Sequence, residues 1–337
     1  MESVEHTPGF VDALPATSVP EVERALSDWF GAEVILTSSG RAAILLYLTA
    51  LGLGRYLNRI AVPRLISSCV LDAVIRRGFP VDAEGTPHAD ATVLYHQYGI
   101  PQAEGASGIV IEDICHSFFS TASSGSRAWR GEVGIFSLPK FFLLNGMGGG
   151  LVMVRGSLAR QLRQMRDDAS QQGSIEGDSQ LHVLRSRDVV QDGSAIEQFY
   201  LSRLLNPRIL DHQTGGMPAT LSEIRTVGER RQNNLGQLLD ALGQDALPAG
   251  WPGLLRAALP FALPVFGDMS RLRRLDAMLG EIGVKAGLYK IDVARTMARP
   301  RYQTAVLVPC HHEMPPAKLN DMAGILKEVS GTGGRSK

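Results

Sequence analysis

The chain has 337 residues, enough for a sizeable core and for roughly two domains, or one large domain with an appendage. Lysine plus arginine equals aspartate plus glutamate at 34 each, so no global field gathers nucleic acid or an acidic membrane surface. Cys69, Cys115 and Cys310 lie far apart without metal-type spacing, which argues against a disulfide framework or a metal site and for reduced thiols in a cytosol.

The N-terminal stretch has neither a basic start nor an apolar segment, and no run approaches the ~20 apolar residues that cross a bilayer. A soluble cytoplasmic protein is expected. Ser18 with Glu21 forms a capping-box pattern, and Val22, Ala25, Leu26, Trp29 and Phe30 make one apolar face before Gly31, so a helix is expected over 19–30. "EVILTSSGRAAILLYLTALGLG" then runs from a β-branched strand through Ser38, Ser39 and Gly40 into a helix ending near Gly52. The pattern returns in "RIAVP", "CVLDAVIRRG" and "FPVDA". "ATVLYHQYG" and "GIVIEDICH" add short strands with polar residues at their C-terminal ends. Strands alternating with helices imply a mainly parallel sheet covered on both faces.

From 152 to about 207 the chain turns polar and helix-rich, and "RQLRQMR" at its start reads as a solvated helix. A second capping box, Thr220 with Glu223, opens a long helix with Leu221, Ile224, Val227, Leu235, Leu238 and Leu242 on one side, stopped at Gly243. "RAALPFALPVF" and "AVLVP" read as strands around a helix at 271–282. Pro315 and Pro316 introduce a last helix with Leu319, Met322, Leu326 and Val329 inward. The expected division is a large α/β domain over 1–205 and a small C-terminal α+β domain over 206–337.

Three features fall at C-terminal ends of expected strands, where open α/β sheets bind ligands. Ser38, Ser39 and Gly40 lie in the turn before a helix whose N–H groups and positive end suit an anion such as phosphate. Asp113 ends a β-branched run with His116 three residues later, and an inward carboxylate there needs a cationic or protonated partner. The third is "GIFSLPKFFLLNGMGGG", which sets Lys140 inside an apolar run three residues after Ser137. Its glycines Gly146, Gly148, Gly149 and Gly150 permit close backbone approach. An ammonium out of water costs several kcal/mol unless paired or modified. Its simplest alternative is to snorkel, with the stem on apolar surface and the head in solvent. Together the three features supply an anion cradle, a carboxylate for a pyridine nitrogen and an amine for a covalent link, the needs of pyridoxal phosphate.

At these residues the chain resembles the DegT-like (DegT/DnrJ/StrS) sugar aminotransferases, which are fold-type I pyridoxal-phosphate enzymes. The likeness runs from "EVERALSDWFGAEVILTSSGRAAILLYLTALGLG" to "GEVGIFSLPKFFLLNGMGGGLVMV", weakens after Arg155 and returns faintly at "LVPCHHEMPPAKLNDMAGILKEV". It implies that Lys140 carries the cofactor, Asp113 faces the pyridine nitrogen and His116 lies near the ring hydroxyl. It further implies that Ser39, Gly40, Arg41 and Ser137 hold the phosphate. The chain departs from the family in having Ser67 where a stacking aromatic is common, and Met147 where a glutamate is common. The usual asparagine and arginine pattern is also missing around "LDHQTGGMPATLSEI".

The resemblance implies a pyridoxal-phosphate aminotransferase moving an amino group, from glutamate, onto a nucleotide-linked keto-sugar of polysaccharide biosynthesis. The alternative is a catalytically weak relative that keeps the fold for binding or assembly. A homodimer is expected, with "FFLL" after Lys140 either covered by a partner or filling the monomer's own core. His311 and His312 lack a third metal ligand at suitable spacing, and Cys115 in an apolar strand reads as a core filler rather than a nucleophile.

Overall fold

The computed structural model, which describes residues 4–8, 14–85, 88–102, 107–120, 131–144, 150–154, 158–176 and 204–331, is organised by a seven-stranded sheet. Its strands are β1 (Glu33–Thr37), β2 (Arg59–Val62), β3 (Phe79–Asp82), β4 (Ala91–Tyr95), β5 (Ile109–Asp113), β6 (Val133–Ser137) and β7 (Gly150–Val154). They lie in the order β1-β7-β6-β5-β4-β2-β3. Neighbours from β6 to β3 are parallel, and β7 runs antiparallel to both β6 and β1.

Both faces are covered, as the short buried runs require. Side chains alternate across a strand, so Ile35 and Ile135 pack with Ile60, Val93 and Ile111 against α2 (Gly40–Ala50), α3 (Ser68–Ile75) and α4 (Leu158–Asp167). Leu36 and Phe136 point the other way, toward α1 (Val19–Phe30) and a cluster holding Phe118, Phe119, Phe141 and Phe142. Phe118 meets Phe141 at 5.6 Å and Phe142 at 5.4 Å between ring centres. Phe141, Phe142 and Leu144 are therefore core of the monomer, and the run after Lys140 is not a face for a partner. Burial of each such ring is worth roughly 1.5–3 kcal/mol.

α1 spans the expected residues, with the Ser18 N–H donating to Glu21 Oε2 at 3.2 Å. The helix after it in polar sequence, α4, is less solvated than its charges suggest. Arg166 is buried and ion-paired to Glu23 of α1, and Arg163 bonds Glu33 of β1. The basic residues thus clamp one helix to the sheet edge.

A second sheet of three antiparallel strands places β10 (Tyr302–Pro309) between β8 (Ala262–Phe266) and β9 (Leu288–Asp292). Around it lie α5 (Leu221–Ala241), α6 (Trp251–Ala258), α7 (Met269–Glu281) and α8 (Pro316–Gly331). The box at the start of α5 closes both ways: Glu223 N–H donates to Thr220 Oγ1 at 3.3 Å and Thr220 N–H to Glu223 Oε2 at 3.2 Å. The stretch from Arg256 is not all strand. Arg256 to Ala258 end α6, Leu259 turns at φ 42°, and Pro260, which cannot continue a helix, leads into β8. β9 escapes the sequence pattern because Leu288, Tyr289 and Lys290 are all exposed, which hides any alternation. Among the described residues no helix is long and apolar enough to cross a membrane.

Candidate active site

β7 determines where the site forms. Gly150 is registered opposite Thr37 on one side and Ser137 on the other, so the C-terminal ends of β1 and β6 meet across a single glycine. A Cβ on Gly150 would lie 1.5 Å from the Ser39 carbonyl carbon, which no side chain could tolerate. The glycine thus lets the turn at 38–40 settle beside the turn at 137–140. Gly146, Met147, Gly148 and Gly149 lie outside the described residues. On β6's other side, Asp113 at the end of β5 pairs in register with Ile135 and with Tyr95 of β4.

These strand ends open into one cavity of about 1270 Å³, lined by Ser39, Gly40, Arg41, Asp113, His116, Ser137 and Lys140, every site residue expected from sequence. Ser39 caps α2: its Oγ accepts from Ala42 N at 3.0 Å and donates to Leu204 O at 2.7 Å. What the turn offers an anion is therefore chiefly the N–H groups of the first helical turn, which have no intrahelical acceptor. Gly40 is confined there, since a Cβ would stand 3.1 Å from Cys115 Sγ.

Asp113 is fully buried. Its Oδ1 accepts from Cys115 N at 2.9 Å, while Oδ2 has no hydrogen-bond partner. Burial pushes the carboxyl above the ordinary range, opposed by the Cys115 bonds and by the nearby His96 and Lys140. His96, just past the end of β4, accepts from Gln102 N at Nδ1 and so donates through Nε2 to Glu112 Oε2 at 3.3 Å. Burial, with Lys140 beside it, holds His116 well below its usual range, so the ring is neutral. Burial, with Asp113 next, drives the Cys115 thiol well up, which makes it a poor nucleophile although it lines the cavity.

The far wall has no counterpart in the sequence reading. Phe261 stacks on His116 at 4.7 Å between ring centres, and Lys140 Nζ stands 5.2 Å from the centre of the same ring. Tyr98 stacks on His116 at 5.8 Å from a left-handed backbone, φ 53°. That conformation is costly for a tyrosine, and it is held by the Phe261 N–H donating to Tyr98 O at 3.1 Å. Gly99 beside it, φ +88°, has room for nothing larger: a Cβ would fall 2.2 Å from His116 O. Tyr289 and residues 5–7 and 284–287 complete the wall. The "QYG" triplet carries a turn signal that marks Tyr98. Nothing near His6 or Phe261 marks either.

Ser67 also lines the cavity, its Oγ 2.7 Å from Cys69 Sγ, so no aromatic packs from that position. His311 and His312 are held down by burial to about 4 and about 3. Among the described residues no group of three His, Cys, Asp or Glu is arranged for a metal.

The architecture is that of sugar-aminotransferase structures. A DegT DnrJ EryC1 StrS aminotransferase from Brucella abortus superposes with a TM-score of 0.63 at 17% identity, covering 94% of this chain and 91% of that one. DesV of S. venezuelae gives 0.65 at 18% identity, covering 96% and 91%, and DesI, solved in the presence of its TDP-sugar product, gives 0.64 at 16% identity, covering 94% and 86%. No curated protein matches the sequence. A family model described as "Putative PLP-dependent aminotransferase" matches residues 29–217. The chain belongs to this family of pyridoxal-phosphate-dependent aminotransferases.

The cavity fits that cofactor on its own features. The orphaned Asp113 Oδ2 suits a pyridine N–H, the first turn of α2 with Ser137 suits a phosphate, and Lys140 is an amine in the same space.

Proposed function

We propose that the protein aminates a nucleotide-linked keto-sugar, taking the amino group from glutamate, with Lys140 and Asp113 as its catalytic residues. The observation that carries the site assignment is the convergence on one cavity of the 39–41 turn, Ser137, Lys140 and a buried carboxylate with an unused oxygen. The sugar class is supported by the neighbouring structures, DesI with its TDP-sugar product among them.

Bound there, pyridoxal phosphate supplies an aldehyde and an electron-withdrawing ring. The chain's own residues do the rest. Ser39, Gly40, Arg41 and Ser137 hold the phosphate end. Asp113 Oδ2 keeps a proton on the ring nitrogen through a charge-assisted hydrogen bond, which cancels the desolvation cost of its own charge. Neutral His116, flanked by Tyr98 and Phe261, serves the ring hydroxyl. Lys140 Nζ would hold the cofactor and would move protons as general base and acid. The Phe261 ring, 5.2 Å from Nζ at its centre, shields one side of that amine from water.

The large domain is proposed to end near residue 205, and the chain to act as a homodimer in the cytoplasm. The dimer rests on the family resemblance alone, since Phe141, Phe142 and Leu144 lie in the core. An absorbance scan with added pyridoxal phosphate, followed by a mass-spectrometric screen of nucleotide-keto-sugars with glutamate, tests the reading. Cofactor uptake with a mass gain on one sugar is expected. A protein that takes up no cofactor would favour a binding role instead.

A further inference from the structure

The cofactor residues account for one wall of the cavity, and the opposite wall begins with residues 4–8. Val4 is buried and bridged in parallel register to Val284, its N–H donating to Gly283 O and its carbonyl accepting from Lys285 N, both at 2.9 Å. Lys285 Nζ reaches back to Glu5 Oε1 at 2.6 Å. These contacts fix a strap on the small sheet and bring Glu5, His6 and Thr7 into the lining of the cavity that holds Lys140.

His6 sits in that strap with its orientation determined. Nε2 lies 3.0 Å from the carbonyl oxygen of Leu307. A carbonyl can only accept, so Nε2 carries the hydrogen. Burial holds the ring below its ordinary pKa and the Lys140 charge acts the same way, against the Leu307 bond. The ring is therefore neutral near pH 7, and Nδ1 is a lone-pair acceptor. The ring stacks on Phe261 at 5.9 Å and meets Tyr289 edge-on at 6.2 Å between centres. A fixed acceptor set in an aromatic wall matches a sugar, which presents hydroxyl donors around an apolar C–H face.

We infer that His6 is a substrate-binding residue whose Nδ1 accepts a hydrogen bond from a hydroxyl of the sugar acceptor. This rests on the reading of the acceptor as a nucleotide-linked sugar. If His6 only packed against Phe261 and bonded Leu307, a substitution that returns an acceptor at the Nδ1 position without the Leu307 bond would recover no binding.

Calorimetric titration of dTDP-glucose and UDP-glucose into the cofactor-loaded full-length protein tests both levels. His6→Phe keeps the ring and removes both the Nδ1 acceptor and the Nε2–H bond to Leu307, and is expected to weaken binding about threefold to tenfold, the worth of one net hydrogen bond. His6→Asn returns an acceptor oxygen near the Nδ1 position and should recover part of that loss. The cofactor absorbance band of each variant reports that the pocket is still formed. Equal binding by wild type and His6→Phe overturns the role of His6 and leaves the sugar reading standing. A wild-type protein that reacts with L-glutamate but binds neither nucleotide sugar overturns the sugar reading, and the inference with it.

Discussion

Arg231 of α5 donates through Nη2 to the carbonyl oxygens of both Pro260 and Phe261, at 3.2 Å each, and so holds the aromatic wall of the site from behind. The guanidinium is buried, lies 4.8 Å from the centre of the Phe141 ring, and has no carboxylate partner among the described residues. Two energies oppose here. Removing the charge relieves a desolvation cost of several kcal/mol, while removing its N–H groups leaves two carbonyls with only the weak Cys310 thiol as donor, 3.7 and 3.8 Å away, a loss of up to ~1–3 kcal/mol each. Arg231→Met should therefore shift stability by less than about 2 kcal/mol, whereas Arg231→Ala, which adds a void, should lose about 3–5 kcal/mol. Urea unfolding of the cofactor-free protein measures both. A loss in Arg231→Met as large as that expected for Arg231→Ala would mean that the buried charge carries no net cost.

Asp113 ties stability to pH and to the cofactor. Its folded carboxyl titrates above the unfolded value of 3.8, so the stability it contributes is complete below that value and is lost as pH rises through the folded value. Without cofactor, Asp113→Asn should melt higher than wild type at pH 7, and the gap should close toward pH 4. Added pyridoxal phosphate should reverse the order, because only the carboxylate can pair with a protonated ring nitrogen. Turnover of the variant should fall by the equivalent of about 2–4 kcal/mol. Matching melting curves at pH 7, with and without cofactor, would rule out a buried unpaired charge.

The half of the site built on strand ends was legible because each residue follows a local rule. Ser39 caps a helix after a β-branched strand, Asp113 ends a buried run, and Lys140 is a charge among apolar residues. The other half was not. Phe261, Tyr289 and His6 reach the cavity through pairings far apart in sequence, such as Val4 with Val284 and Phe261 N–H with Tyr98 O. No local pattern encodes those. The same limit explains α4: a basic run reads as solvated until the fold brings Glu23 and Glu33 beside it.

Gly150 is expected to be irreplaceable. Gly150→Ala puts a methyl into the Ser39–Gly40 backbone, at 1.5 Å from one atom and 1.7 Å from the next, so the phosphate turn must move. Absorbance titration should give a pyridoxal-phosphate affinity at least about tenfold weaker, a loss of ~1.4 kcal/mol or more, in line with overpacking costs. Gly253→Ala in α6 is the control: nothing lies within 4 Å of its new methyl. It should gain roughly 0.4–1 kcal/mol in stability and leave cofactor affinity unchanged. Undiminished affinity in Gly150→Ala would separate the turn from the cofactor.

Lys140 should be the lysine that carries the cofactor, and the structure names its competitor. Among the described residues two lysines line the cavity, Lys140 and Lys285. Lys285 is paired to Glu5 at 2.6 Å and its side chain is 65% exposed, so its ammonium is solvated and held by a carboxylate. An amine held that way is occupied by its carboxylate partner and is poorly placed to meet an aldehyde. Lys140 follows Ser137 in the turn beside the α2 N-terminus, and its Nζ lies against the Phe261 ring rather than against an acid. Borohydride reduction of the cofactor-loaded protein and peptide mapping should therefore place the pyridoxyl mass on Lys140. Lys140→Ala should abolish the label, while Lys285→Ala should keep it. A label on Lys285 would move the cofactor to the far wall, and with it the roles assigned to Asp113 and the 39–41 turn would fall.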